Sequence, residues 1–373
     1  MKTTIRSLAV LAALGTAAYA APFLAMGDSA ELFLTGTLGL RADDNVTLSA
    51  DKNNDMVFEF VPGFEVVYGQ NSLTKGRAFY KETITRYTDQ DKLNTTLSSV
   101  GFDGKYDDQK LKVNFAASFA QLAQNSVDVR PTDGTLTRRD VTNLSGVSEV
   151  SVTDKSSVAA GVTYDKVDYK RKAFTSTETF TVPVNYYFEV SPKLDMSVGI
   201  QYRDNSLKNA VDSKDYFYSV GARGEFTPKL TGKLAVGVTQ RKYDGSGNES
   251  SVGIDSSFAY AASEKTSVQF GVTNDFGYSG QGQSQRNLTF SGGVQSRMAE
   301  DWTVGGNLAY RVMNYLGKNS RTDDYVDGTL SATYVFNSFV NFTGSYTYRE
   351  NSSDLKFASF DNNVFAIAAN VRY

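Results

Sequence analysis

The chain has 373 residues, with 38 Lys and Arg against 41 Asp and Glu, for a net charge of −3. It contains no His and no Cys, which removes Ser–His and Cys–His catalysis, Cys/His metal sites and a disulfide scaffold together. No cofactor and no enzymatic activity are expected from such a set, and the slight negative charge lacks the basic face that a nucleic-acid partner requires.

The N-terminus reads as an export signal. Lys2 and Arg6 precede a small, apolar run from Ser7 to Ala18, and Ala18-Tyr19-Ala20 gives the A-x-A cleavage pattern. Residues 1–20 are therefore expected to be removed, leaving a short periplasmic segment over 21–30 and one domain over 31–373. No run approaches about 18 uninterrupted apolar residues, so no transmembrane helix is predicted.

From Glu31 onward the apolar period is two. "ELFLTGTLGLR" sets Leu32, Leu34, Leu38 and Leu40 against Thr35, Thr37 and Arg41. "DYFYSVGARGEF" sets Tyr216, Tyr218, Val220, Ala222 and Phe226 against Ser219, Arg223 and Glu225. "TSVQFGVTNDFGY" sets Val268, Phe270, Val272, Phe276 and Tyr278 against Gln269, Thr273 and Asp275. "YVDGTLSATYVF" sets Val326, Leu330, Ala332, Tyr334 and Phe336 against Asp327, Thr329, Ser331 and Thr333. No segment of comparable length carries a helical period, so the fold class is all-β.

About eighteen such runs occur, beginning near Glu31, Met56, Ala78, Thr95, Leu111, Val141, Ser157, Thr177, Leu194, Asp215, Leu230, Ser251, Thr266, Asn287, Trp302, Tyr325, Val340 and Asn363. The third, fourth and sixth alternate poorly, so sixteen strands are the other count. Breaks after even-numbered runs are tight, as at Ser191-Pro192-Lys193 and Thr227-Pro228-Lys229; those after odd-numbered runs are longer and polar. Gly69 to Gly76 departs from that rule. Pro62 and Pro183 fall inside runs and read as bulges or rim positions. Short turns on one rim and long loops on the other, with an even strand number, predict a closed antiparallel transmembrane barrel. Mean hydropathy is negative, which such a barrel permits, because lipid-facing and water-facing residues alternate.

The apolar rows should then face lipid, with Tyr68, Tyr164, Tyr202, Tyr216, Tyr218, Tyr278, Trp302, Tyr310, Tyr325 and Tyr373 in two interfacial girdles. The opposite rows carry the candidate pore-lining residues Arg203, Arg223, Arg241, Arg297, Arg311 and Arg349 with Asp195, Glu225, Asp255, Asp275 and Asp327. They form either a selectivity lining or ion pairs between neighbouring strands. Both signs alternate without a single-sign ring, which favours pairing. "NSVDVRPTDGTLTRRD", the third long connection, holds Asp128, Arg130, Asp133, Arg138, Arg139 and Asp140. By analogy with the inward third loop of general porins it is a candidate constriction; an outward, solvated loop is the default.

Three stretches carry a family resemblance: "DMVFEFVPGFEVVYG" (55–69), "RYTDQDKLNTTLSSVGFDGKYD" (86–107) and "FTVPVNYYFEVSPKLDMSVGIQYRDN" (180–205). Together they resemble the putative β-barrel porin 2 family of Gram-negative outer-membrane proteins. That resemblance implies an integral outer-membrane barrel contacting membrane lipid and lipopolysaccharide, and for some members a place beside polysaccharide-export components. It brings no catalytic or ligand residues. The chain ends "NVFAIAANVRY", where Phe365, Val371 and Tyr373 share the apolar row; this resembles the terminal signal read by the barrel-assembly machinery. Two functions follow as expectations: a water-filled channel for passive diffusion or polysaccharide export, or an occluded structural or adhesive barrel whose surface loops bind a partner.

Overall fold

The computed structural model describes residues 21–373 apart from 28, 71, 130–133, 246 and 318–319. The export signal over 1–20, Arg130 and Asp133 lie outside the described residues. A short strand β1 (Leu24–Met26) precedes eighteen long ones. These are β2 (Ala30–Asp43), β3 (Asp55–Tyr68), β4 (Thr74–Tyr87), β5 (Thr95–Asp107), β6 (Leu111–Ala123), β7 (Arg138–Thr153), β8 (Ser156–Tyr169), β9 (Thr177–Ser191) and β10 (Leu194–Leu207). The second half comprises β11 (Ser213–Thr227), β12 (Leu230–Tyr243), β13 (Asn248–Ala261), β14 (Thr266–Tyr278), β15 (Ser284–Arg297), β16 (Trp302–Tyr315), β17 (Arg321–Val335), β18 (Val340–Ser353) and β19 (Phe360–Arg372).

Each long strand pairs antiparallel with its sequence neighbours, and β19 returns to β2 from Val364↔Asp43 to Arg372↔Thr35, closing the cylinder. The poorly alternating third, fourth and sixth runs are all strands, so the count is eighteen. Below Thr35 the free edge of β2 is taken up by β1, with Leu24 opposite Leu32 and Met26 opposite Ala30. The C-terminal residue closes the remaining step, since Tyr373 and Leu34 exchange backbone hydrogen bonds of 2.6 and 2.9 Å. No edge remains open at this seam, as a hydrocarbon surrounding demands.

Alternation assigns the two faces. Leu38, Val198, Val220, Leu330 and Ile367 point outward and are each at least 60% exposed, which in water would be an aggregation hazard and in lipid is the buried state. Aromatic girdles mark the boundaries of that band. Near the strand tops, outward tyrosines donate to carboxylates slightly higher on the wall: Tyr80 to Glu82 at 2.7 Å, Tyr202 to Asp204 at 3.1 Å, Tyr310 to Asp324 at 2.7 Å and Tyr348 to Glu350 at 2.8 Å. At the opposite end, Trp302 packs on Tyr334 and Tyr373 on Phe339. Two of the girdle assignments are corrected. Tyr325 has inward parity, is 5% exposed and bonds lumenal Asp327 at 3.0 Å. Tyr278 is drawn inside, where its ring lies against Arg241.

The strands extend further into the connections than the sequence suggests. The Gly69–Gly76 break shrinks to 69–73, because β4 begins at Thr74, and several longer connections contract to 208–212, 244–247 and 316–320. The prolines are not bulges or rim positions. β3–β4 pairing skips from Phe60↔Ile84 to Gly63↔Lys81, and β8–β9 pairing from Ala160↔Val184 to Thr163↔Thr181, with the register unchanged. Pro62 and Pro183 each lack the N–H for one neighbour, and the ladder simply omits those rungs. True register shifts sit beside the short turns, at Ser151/Thr153, Leu194/Asp195 and Glu225/Thr227.

Candidate functional site

The lumen divides into two halves of different character. Towards the short-turn rim, which is periplasmic for an outer-membrane barrel, inward residues such as Thr231, Lys233, Ser257, Gln269, Ser291 and Arg297 are exposed to water. Towards the opposite rim, inward residues are buried: Arg203, Asp215, Arg241, Gln285, Met313 and Tyr315 are each at most 8% exposed. A lid of connections folded back into the barrel covers Gln285, Met313 and Tyr315, while Arg203, Asp215 and Arg241 lie against the top of β14.

The lid begins with connection 124–137. Ser126 and Val129 exchange backbone hydrogen bonds of 3.0 Å, a tight turn with Val127 and Asp128 at its tip. Asp128 reaches the far wall, where its carboxylate accepts from Gln285 Nε2 of β15 at 3.3 Å and Arg311 Nη1 of β16 at 3.2 Å. Its backbone oxygen accepts from Gly280 N at 2.9 Å. The loop thus leaves the β6–β7 side and ends on β15–β16. Asn125 fastens it to connection 44–54, donating to Thr47 O at 2.9 Å. Two apolar clusters underlie it. One joins Leu48 and Val127 to Met313, Tyr315, Tyr325 and Phe360; the other joins Val46, Val57, Tyr87 and Leu93, with Leu136 against it. Each fully buried aliphatic side chain stabilises this arrangement by about 1.5–3 kcal/mol, so the lid is packed structure and not a loose fringe. At its outer corner, Lys52 bridges Asp44 at 3.1 Å and also pairs with Asp361. Burial pushes the Asp44 carboxyl up, but hydrogen bonds from Asn363 and Lys52 outweigh it and hold it below the usual aspartate range.

Below the tip lies an ionic cluster centred on Asp215, with separate pairs lower on the wall. Arg203 Nη2 donates to both Asp275 oxygens at 2.8 and 2.9 Å and pairs through Nε with Asp215 at 3.0 Å. Arg241, 1% exposed, grips Asp215 bidentately at 2.7 and 2.8 Å. Lower down, Arg223 pairs with Asp195 of β10 at 3.0 Å, lies 3.3 Å above the Tyr187 ring, and crosses to Glu149 of β7 at 2.8 Å. Asp255 takes Lys233, Glu225 takes Lys193 and Asp327 takes Arg349, at 2.7, 2.8 and 2.9 Å. Among the described residues, Arg297 is the one member of the predicted lining with no ionic partner recorded.

The sequence-derived loop residues do not converge. Asp128 is the inward tip. Arg139 faces the lumen, 5% exposed, donating to Gln124 O at 3.0 Å. Arg138 is exposed, and Asp140 faces outward, pairing with Lys170 at 2.8 Å. Sequence reasoning missed the inward course of connection 44–54 and the cross-lumen partners Gln285 and Glu149. The available signal was an apolar pair inside an otherwise polar loop, Val46 and Leu48 in one case and Val127 and Val129 in the other. At the C-terminus, Phe365 and Val371 face outward and Tyr373 packs between Phe339 and Phe23, with centroids 5.2 and 6.0 Å away.

A closed eighteen-strand sheet with an apolar outer wall and a polar, ion-paired interior is a porin-like transmembrane barrel of the outer membrane. The chain belongs to the family described as "Putative beta-barrel porin 2", whose profile matches residues 32–373. Among solved structures it is similar in fold to the outer membrane protein OpdK of Pseudomonas aeruginosa. TM-score is 0.50 and identity 11%, covering 93% of this chain and 99% of that one. OpdQ of the same organism gives the same values. No protein of curated function matches the sequence.

Proposed function

We propose that the barrel conducts small hydrophilic solutes passively and that its extracellular lid sets the flux. The observation that carries this reading is the Asp128 tip, which spans the lumen to Arg311 above a half-barrel open to water. A lumen bounded by about eighteen strands is too wide for wall side chains to fill, so the lid is the element that can close it. Charges facing the water below are inexpensive and, apart from Arg297, mutually paired, which favours weak selectivity over a strong filter.

Export of polysaccharide is the more specific form of the reading. Its support is the inner wall of β15–β18, where Thr289, Ser291, Asn307, Thr329, Ser331, Thr333 and Thr343 present hydroxyl and amide groups. The hydroxyl pairs Thr329–Thr347 and Thr333–Thr343 lie at 2.9 and 3.1 Å. Such a wall offers hydrogen bonds to a neutral sugar chain between the ionic groups of Arg297 and the Arg349–Asp327 pair. The packed lid also supports the other class, an occluded surface barrel. Planar-bilayer recording separates them: a channel gives conductance that rises when connection 124–137 is shortened, and neutral oligosaccharides block the current if sugars pass. Silence from both the intact and the shortened protein overturns the channel reading.

A further inference from the structure

Between β13 and β14 the barrel wall is interrupted in a way that neither the closure nor the lid explains. β12 and β13 pair along their whole length, from Leu230↔Tyr260 to Lys242↔Asn248, and β14 pairs with β15 up to Tyr278↔Ser284. Between them, β13–β14 pairing stops at Ile254↔Asn274. Above that rung β14 no longer stands beside β13 but behind it, inside the lumen. Arg241 of β12 donates to Gly277 O at 3.0 Å, and Tyr278 donates to Ser213 Oγ of β11 at 2.6 Å. Phe276 is 2% exposed, and the Arg241 guanidinium carbon lies 5.0 Å from its ring and 4.4 Å from that of Tyr278. The outward face of the strand top therefore rests on the inner face of its neighbours, leaving Asn248, Glu249, Ser250 and Val252 exposed along the β13 edge.

The sequence encodes a different position for the same residues. Phe276 and Tyr278 continue the row of Val268, Phe270 and Val272, which faces lipid, and Tyr278 would join the girdle formed by Tyr80, Tyr202, Tyr310 and Tyr348. Extending the Ile254↔Asn274 register places Val252 opposite Phe276 and Ser251 opposite Gly277. The pivot is soft: two rungs are missing between Asp255↔Thr273 and Phe258↔Phe270, and Ser256 Oγ bonds Val272 N and O in their place, at 2.8 and 2.9 Å. Asn274 Nδ2 holds Val252 O at 2.7 Å by side chain alone. The inward position is held from the lid, because Gly280 N, in the connection after β14, donates to Asp128 O at 2.9 Å, and Gly280 O accepts from Thr175 N at 2.8 Å.

We propose that the top of β14, residues 275–278, is a shutter with two seats. In the inward seat it lies under Arg241 and carries the far anchor of the lid. In the outward seat it zips onto β13, satisfies that strand's unpaired backbone, returns Phe276 and Tyr278 to the lipid face and withdraws Gly280 from Asp128. Two discrete packings of one element, each satisfying groups the other leaves unpaired, make a switch and not a continuous deformation. Opening of the mouth and closing of the wall are then a single event. The effect on flux rests on the channel reading; the movement itself does not.

The chain has no native cysteine, so paired substitutions report cleanly. Ser251→Cys with Gly277→Cys should form a disulfide only through the outward seat, while Glu249→Cys with Gly277→Cys, two residues out of register, should not. Val129→Cys with Gly280→Cys should lock the inward seat once the Asp128 carbonyl shifts to admit the new Cβ, which would lie 2.7 Å from that oxygen and 3.0 Å from Val129 Cγ2. Non-reducing gels on heat-modifiable, folded protein score the crosslinks, and bilayer recording scores the current. The expected result is loss of closures for the first pair and loss of conductance for the third, both reversed by reductant. A folded Ser251/Gly277 variant that never crosslinks, or crosslinks no better than the out-of-register pair, overturns the shutter. Efficient crosslinking with no current in any redox state retains the shutter and overturns the channel reading.

Discussion

Asp128→Asn removes the charge at the lid tip and changes little else. The carboxylate is 6% exposed and accepts from Arg311 Nη1 at 3.2 Å and Gln285 Nε2 at 3.3 Å, while its backbone bond to Gly280 is independent of the side chain. A fully buried pair broken on one side costs about 3–5 kcal/mol, but the Arg311 side chain is 22% exposed and can recover water. The loss is better taken as that of one charge-assisted hydrogen bond, roughly 1.5–3 kcal/mol. If it falls wholly on the lid-closed state, the open fraction rises roughly ten- to a hundredfold. Single-channel recording reads this as open probability, and swelling of proteoliposomes in neutral sugar reads it as flux. The sheet is untouched, so the thermal transition of the barrel in detergent should not move. Unchanged open probability and unchanged swelling in a folded Asp128→Asn protein would refute the view that this contact holds the lid.

Arg241→Met leaves Asp215 with one of its two arginines and frees Gly277 O; unfolding in urea and detergent should show a loss of about 3–5 kcal/mol, with more frequent openings. Deleting Tyr373 removes its bonds to Leu34 and its packing on Phe339, and the heat-modifiable folded band should fall in a refolding assay, whereas Tyr373→Phe should retain it. Acidification should loosen the Lys52 corner of the lid. Asp44 is depressed below the ordinary value of 3.8, so its contribution is present above that pH and is lost as pH falls through the lower folded value. Conductance recorded across that acidic range should rise in the intact protein and stay flat in Asp44→Asn.

The sequence by itself determined the barrel. Its two-residue period, held over eighteen runs, assigned nearly every side chain to a face, because a strand in lipid leaves no freedom in that choice. Even the imperfect runs near Ala78 and Thr95 became strands, since a closed ladder needs every member. Parity also placed Arg203, Arg241 and Asp275 in the lumen, and alternating sign indicated pairing, although not the partners. Those were decided by tertiary structure. Arg223 meets Glu149 across intervening strands, and Asp128 meets Arg311 across the lumen; pairs so far apart in sequence leave no periodic trace. The inward course of connections 44–54 and 124–137 follows from a few apolar residues finding Met313 and Tyr315, a contact that exists only once the cylinder has closed around them. Tyr278 shows the division most plainly: local alternation placed it towards lipid, and the pull of Arg241, Ser213 and the lid brought it inside.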